Sequence, residues 1–159
     1  MVSHYIYKSI YGGIFMENCN LEFIGEVYRG ASIALKSISD VMPEIENDCL
    51  RNEIHDQYQG YENFISDLTL YMREKGYEIK DIGVMKKAMM WSAIKMNTAF
   101  DSTHSHIAEI MIKGTVMGIT ELTKIINETE CLTDEKAMEF AKRLLAMEED
   151  YEERLKKHL

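Results

Sequence analysis

The sequence predicts an all-α protein, an up-down four-helix bundle made of two helical hairpins joined by a long crossover helix. The chain of 159 residues contains one proline, so little interrupts a helix. Its apolar residues make up 46% and its charged residues 28%, values typical of a folded protein with one core. Apolar side chains recur at spacings of three and four along most of the chain, which is the period of an amphipathic helix.

Residues 1–15 differ in composition from the rest of the chain. They contain three tyrosines, the pair Gly12 and Gly13, and no acidic residue. They lack the continuous apolar core of a signal peptide, and no later stretch reaches the roughly 20 apolar residues of a membrane span. We therefore divide the chain into an N-terminal extension, residues 1–15, and a single helical domain, residues 16–159. Whether the extension is ordered, and whether translation starts instead at Met16, stay open.

The first hairpin is predicted over residues 17–40 and 44–75. One apolar stripe runs from Leu21 to Ile38 and a second runs from Leu50 to Met72. Pro43 suits the first turn of the second helix, and Gly76 suits its C-terminal end. The short connection between the helices makes them antiparallel neighbours.

The second hairpin is predicted over residues 103–128 and 134–158, with Thr133 or Asp134 as the N-cap of the last helix. Residues 84–100 lie between the hairpins. As a helix they span about 25 Å, roughly one bundle length, and we expect them to form the crossover on the outside of the bundle. The alternative is a fifth helix buried in the core.

The stretch WSAIKMNTAFDSTHSHIAEIMIKGTVMGITELTKIINE, residues 91–128, carries a resemblance. A Trp-containing segment, a helix with a central glycine, a short turn and a final helix resemble an uncharacterised bacterial family of ferritin-like four-helix bundles. The resemblance implies a ferritin-like layout over residues 17–158. In metal-binding ferritin-like proteins, two helices each supply a Glu and two each supply a Glu-x-x-His motif around a dinuclear site.

The ligand pattern of such a site is missing from this sequence. No Glu-x-x-His motif occurs, and helical projection turns only Glu121 and Glu148 inward, roughly 10 Å apart along the bundle axis. We therefore expect no cofactor. The alternative is a protein that handles iron or another divalent metal through an irregular ligand set, with Glu121, Glu148 and the His104 and His106 pair as weak candidates. A simpler interpretation makes both histidines exposed, with His106 facing Glu109.

Glu148 on the apolar face of the last helix has two interpretations. A buried carboxyl beside Tyr151 could be a general acid or base with a raised pKa. The favoured interpretation is structural, with Glu148 bonded to a buried hydroxyl or to an arginine such as Arg51. No catalytic residue is assigned. A small-molecule site in the core near Tyr28, Tyr58 and Tyr151 stays open.

The charge of the chain bears on its binding partners, and its cysteines bear on its cellular compartment. The net charge is −9, and the basic residues of the last helix alternate with glutamates, so a nucleic-acid surface is not expected. Three cysteines without a metal-binding or redox spacing are typical of reduced thiols in a cytoplasmic protein.

The segment at residues 84–100 is rich in methionine and apolar on more than one side. An outer crossover helix needs only one apolar face, so the other is available to a partner. We expect a homodimer and a non-enzymatic function through self-association or partner binding. The predicted interface residues are Met85, Met89, Met90, Trp91, Ile94 and Met96.

Overall fold

The computed structural model describes residues 2–77, 103–129 and 133–159, with side chains from residue 19 onward. These residues form four long helices, and none of them lies in a strand. The helices are α1 (Val2–Val41), α2 (Asp48–Glu74), α3 (His104–Thr129) and α4 (Glu135–Leu155). Short 3-10 turns follow α1 at Met42–Glu44 and α4 at Lys156–His158. The prediction of an all-helical bundle is confirmed.

The start of α1 differs from its predicted position. The composition break placed it at residue 17, whereas the helix begins at Val2 and takes in the residues assigned to the N-terminal extension. Residues 1–15 contain no proline that would prevent a helix. The pair Gly12 and Gly13 lowers helix stability by about 1 kcal/mol for each glycine, which does not end a helix. The predicted start of this helix at residue 17 is therefore wrong.

The two ends of α2 are fixed by local chemistry. Asn47 is the N-cap, and its side chain accepts a hydrogen bond from the backbone N–H of Leu50 at 2.9 Å. Pro43 lies in the preceding 3-10 turn and not in the first turn of α2, so the predicted start is four residues early. The predicted stop is confirmed: Gly76 has a φ of +72°, and the N–H of Tyr77 bonds to the carbonyl of Met72 at 2.8 Å.

Contacts between helix ends give the directions of the helices. Tyr71, near the end of α2, bonds to Asp134 at the start of α4, so these helices are antiparallel. The hydroxyl of Ser105, near the start of α3, bonds to the carbonyl of Leu159 beyond the end of α4 at 3.0 Å. Because α4 is antiparallel to both, α2 and α3 run in the same direction. The chain therefore leaves α2 at one end of the bundle and enters α3 at the other.

The helices share one apolar core. α1 packs against the other three helices, and α4 also packs against α2 and α3. Phe64 and Phe140 meet edge to face at 6.1 Å between ring centroids. The predicted stripes are confirmed at many positions, including the fully buried Ile24, Ile54, Leu68, Leu144 and Leu155.

α3 buries much less of its length than its neighbours. Its buried residues lie towards the ends of the helix: Ile107, Ala108 and Met111 on one side, and Leu122 and Ile126 on the other. No residue between positions 112 and 121 is buried. We call this stretch, residues 112–121, the central segment of α3.

None of the described helices is both long enough and apolar enough to cross a membrane.

Candidate functional site: a buried glutamate between three helices

Glu148 is the one acidic residue buried within the described part of the chain, with 2% of its surface exposed. It lies on the inward face of α4, where Leu144, Tyr151 and Leu155 precede and follow it at helical spacing. The sequence prediction that Glu148 faces inward is confirmed. A carboxyl group in such a position must find hydrogen-bond partners or remain uncharged.

One carboxyl oxygen has a partner and the other has none. The hydroxyl of Tyr61 on α2 donates a hydrogen bond to Oε1 of Glu148 at 3.2 Å. Oε2 is buried without a hydrogen-bond partner among the described residues. Burial and the nearby carboxyl raise the pKa of the Tyr61 hydroxyl well above its ordinary value, so this hydroxyl stays a donor.

Two glycines make room for the polar groups of α4. A Cβ atom on Gly118 of α3 would lie 2.5 Å from Oε2 of Glu148. A Cβ atom on Gly60 of α2 would lie 1.8 Å from the hydroxyl oxygen of Tyr151. Both distances are far below ordinary contact, so the glycines allow α4 to insert these side chains between its neighbours. The ring of Tyr151 also meets that of Tyr61 edge to face at 5.5 Å.

Burial raises the pKa of Glu148 to about 7, and the hydrogen bond from Tyr61 opposes part of this rise. No cation among the described residues compensates the carboxylate. Arg154, two turns further along α4, pairs with Glu53 at 2.9 Å and with Asp56 at 2.6 Å. The site can therefore take up and release a proton near neutral pH, while Oε2 lies against the backbone of α3.

Of the two predicted partners for Glu148, the hydroxyl is confirmed and Arg51 is wrong. The Nε atom of Arg51 donates to the carbonyl of Ile45 at 3.0 Å, which holds it at the turn before α2. Tyr61 was placed in the apolar stripe of α2 and not in the site. Its only signal in the sequence was a hydroxyl-bearing side chain at a core position.

A second buried polar residue lies one turn from Tyr61. Gln57 is 1% exposed, and its amide nitrogen donates to Oε1 of Glu53 at 2.8 Å. Glu53 in turn pairs with Arg154, so a polar network runs from the buried face of α2 to the surface of α4. The sequence analysis did not identify Gln57 as a core residue.

The other predicted ligands do not join Glu148. Glu121 is exposed, because the buried residues of α3, such as Met111, Leu122 and Ile126, centre the inward face on the side of Gly118 that is opposite to Glu121. The prediction that Glu121 faces inward is therefore wrong.

The histidines lie at the start of α3 and not beside Glu148. His104 is exposed, and Nδ1 of His106 lies 3.6 Å from Oε2 of Glu109, which is the predicted contact. No three His, Cys, Asp or Glu residues within the described ranges are placed to hold a metal ion. The predicted interface residues, from Met85 to Met96, lie outside those ranges.

Comparison with protein-family models, with curated proteins and with solved structures finds no match. The ferritin-like resemblance stays a prediction. Function must be argued from the residues themselves.

The first prediction concerns the pH dependence of stability. The pKa of Glu148 is about 7 in the folded protein and 4.5 ordinarily, so the folded state binds one more proton between these values. Stability is then greatest below about pH 4.5 and falls as the pH rises to about 7, by about 3 kcal/mol for this one group. The variant Glu148→Gln cannot ionise and should not show this loss. Urea unfolding of both proteins across this pH range measures the difference.

Glu149→Gln is the matched control, because Glu149 is the exposed neighbour on the same helix. Its difference from the wild type should not change across the same range. If the wild type and Glu148→Gln differ by a constant amount at every pH, Glu148 is not a buried carboxyl of raised pKa.

The second prediction compares two glycines of α3. Gly118→Ala places a methyl group against Glu148 and should lower the free energy of unfolding by about 1–3 kcal/mol. Gly114→Ala meets no atom within 4 Å and should raise it by about 0.5–1 kcal/mol, because alanine favours a helix. Equal stabilisation by both substitutions, measured by thermal unfolding, would contradict the close packing of α3 on Glu148.

Proposed function

We propose that the protein is a non-catalytic helical bundle that functions by associating with a second copy of itself through the outer face of the central segment of α3. The observation that carries this proposal is a pair of adjacent apolar residues in solvent. Val116 is 41% exposed and Met117 is 70% exposed. They account for two of the four large apolar side chains that are exposed within the described residues; the other two, Leu70 and Leu159, stand apart in the chain.

The surroundings of this pair support a contact surface. No charged residue occurs between Lys113 and Glu121, although 28% of the whole chain is charged. Single exposed apolar residues are common on protein surfaces, whereas contiguous exposed apolar patches mark interaction sites. We name the exposed residues of this stretch, Gly114, Val116, Met117 and Thr120, the neutral face of α3.

Charge restricts where a second copy can bind. The chain carries a net charge of −9, so two copies repel each other over most of their surface. The neutral face has no charged side chain of its own, and the exposed Lys113 and Glu121 lie one turn before and one turn after Met117. Gly114 is exposed there and has no side chain to hold two helices apart. A two-fold axis across α3 would bring the same residues together from both copies, as in most homodimers.

The ferritin-like layout belongs to the same proposal. It is supported by the parallel direction of α2 and α3, which places Tyr77 and Thr103, the described residues on either side of the connection (residues 78–102), at opposite ends of the bundle. The predicted interface residues Met85, Met89, Met90, Trp91, Ile94 and Met96 belong to that connection and stay a prediction. A cytoplasmic location is likewise proposed, supported by the unpaired thiols of Cys19 and Cys49.

The third prediction tests this association. The double substitution Val116→Lys and Met117→Lys places two charges on the neutral face and should convert a dimer of twice 18.5 kDa into a monomer. Light scattering coupled to size-exclusion chromatography measures the mass. Leu70→Lys is the matched control, because Leu70 is 60% exposed on α2 and away from the neutral face. It should leave the dimer intact.

Two outcomes would contradict the proposal. The wild type could be monomeric at every concentration tested, or the double variant could remain a dimer. Circular dichroism of the double variant shows whether it keeps the helical content of the wild type, which substitutions at exposed positions should preserve.

A further inference from the structure

We propose that Glu148 controls the position of α3: when its carboxyl group ionises, the central segment of α3 moves away from α4 and water reaches Oε2. That this movement weakens the dimer rests on the function proposed above. The movement itself is argued from the packing around Glu148, from the construction of α3 and from the charges near the carboxyl group.

The packing leaves α3 as the side from which water can enter. Towards α2, Oε1 is held by the hydroxyl of Tyr61, and the rings of Tyr61 and Tyr151 fill the adjoining space. Towards α3, Oε2 lies against Gly118 and has no hydrogen-bond partner among the described residues. A carboxylate oxygen without a hydrogen bond is costly to bury, and a small outward shift of the helix at Gly118 would hydrate it.

The central segment of α3 is also the part of the helix that is easiest to displace. No residue from 112 to 121 is fully buried, and Ile112 at its start is only partly buried against the core, so separation from α4 exposes less apolar surface there than at the ends of the helix. The apolar residues that anchor α3 lie on either side of this segment, at Met111 and at Leu122. The helix can therefore bow outwards while both anchors stay in the core.

The sequence of α3 lowers the cost of bending. The central segment contains Gly114 and Gly118, which disfavour a helix relative to alanine. The hydroxyls of Thr115, Thr120 and Thr123 bond back to the carbonyls four residues earlier, at 3.0, 2.8 and 2.7 Å. Such bonds weaken and bend helices. α3 thus combines its weakest packing with its most deformable sequence at the level of Glu148.

Within the part of the chain that the structure describes, no charged group relieves the ionised form. The facing ionisable groups are Tyr61 on α2 and Tyr151 on α4, both uncharged at neutral pH. α3 presents Gly118, and its nearby Glu121 points to solvent. Burial and the Tyr61 hydroxyl alone shift the pKa of Glu148, so among the described residues neither α1 nor Arg154 contributes a compensating charge. Solvent is the remaining source of stabilisation.

The fourth prediction is a change in amide hydrogen exchange. Between about pH 5.5 and about pH 8, the protection factors of residues 112–121 should fall roughly tenfold or more in the wild type. They should stay constant in Glu148→Gln and fall as in the wild type in Glu149→Gln. Peptides from the centre of α2 provide the internal reference, because their protection should not change in step with α3.

The variant Tyr61→Phe distinguishes an effect on the pKa of Glu148 from a purely structural effect on packing. The hydrogen bond from Tyr61 lowers the pKa of Glu148, so Tyr61→Phe should move the pH midpoint of α3 opening upwards. A merely structural role for Tyr61 would change protection equally at every pH. This comparison uses only variants that keep Glu148 and therefore stands even if Glu148→Gln does not fold.

The outcomes distinguish this inference from the proposed function. Constant protection of residues 112–121 in the wild type at both pH values overturns the inference, as does an equal loss in α2 and α3. A dimer that weakens at the higher pH in the wild type but not in Glu148→Gln supports both proposals. A chain that is monomeric at both pH values but opens at α3 supports the inference and contradicts the proposed function.

Discussion

The structure depends on one energetically unfavourable group, the carboxyl group of Glu148, which is buried in an apolar core without a cation among the described residues. Its immediate surroundings fit this group. The hydroxyl of Tyr61 donates a hydrogen bond to one oxygen, and Gly118, which has no side chain, leaves room for the other. An apolar residue at position 148 would pack without these accommodations. Glu148 is the one buried acidic residue of the described core, which makes it the candidate for a functional group.

α3 differs from the other helices because its ends and its centre have different contacts. Its ends bury apolar residues against the bundle, as at Ile107 and Ile126, and its centre does not. The centre instead touches Glu148 on one side and presents the apolar Val116 and Met117 to solvent on the other. The protonation of Glu148 and a contact at Val116 and Met117 thus both involve the central segment of α3. This shared segment is the physical link between the two proposals.

Local and periodic features were predictable from the sequence, and long-range partners were not. Periodicity gave the four helices and turned Glu148 inward, and the left-handed conformation at Gly76 followed from its position after an apolar stripe. The Tyr61 bond joins residues 87 positions apart, and no local pattern encodes it. Glu121 was misplaced because Gly114 and Gly118 were taken to mark a buried row. A glycine indicates close packing only where a neighbouring side chain lies against it. Of these two glycines, only Gly118 has such a neighbour among the described residues.

The most direct test is an NMR titration of the Glu148 side-chain carboxyl carbon in protein labelled with ¹³C, with Glu148→Gln used to assign the signal. The account predicts a midpoint of about 7, because burial without a compensating cation favours the protonated form. A midpoint near the ordinary value of 4.5 would show that the carboxylate is hydrated or paired in the folded protein. That result would contradict the buried site and the control of α3 built upon it.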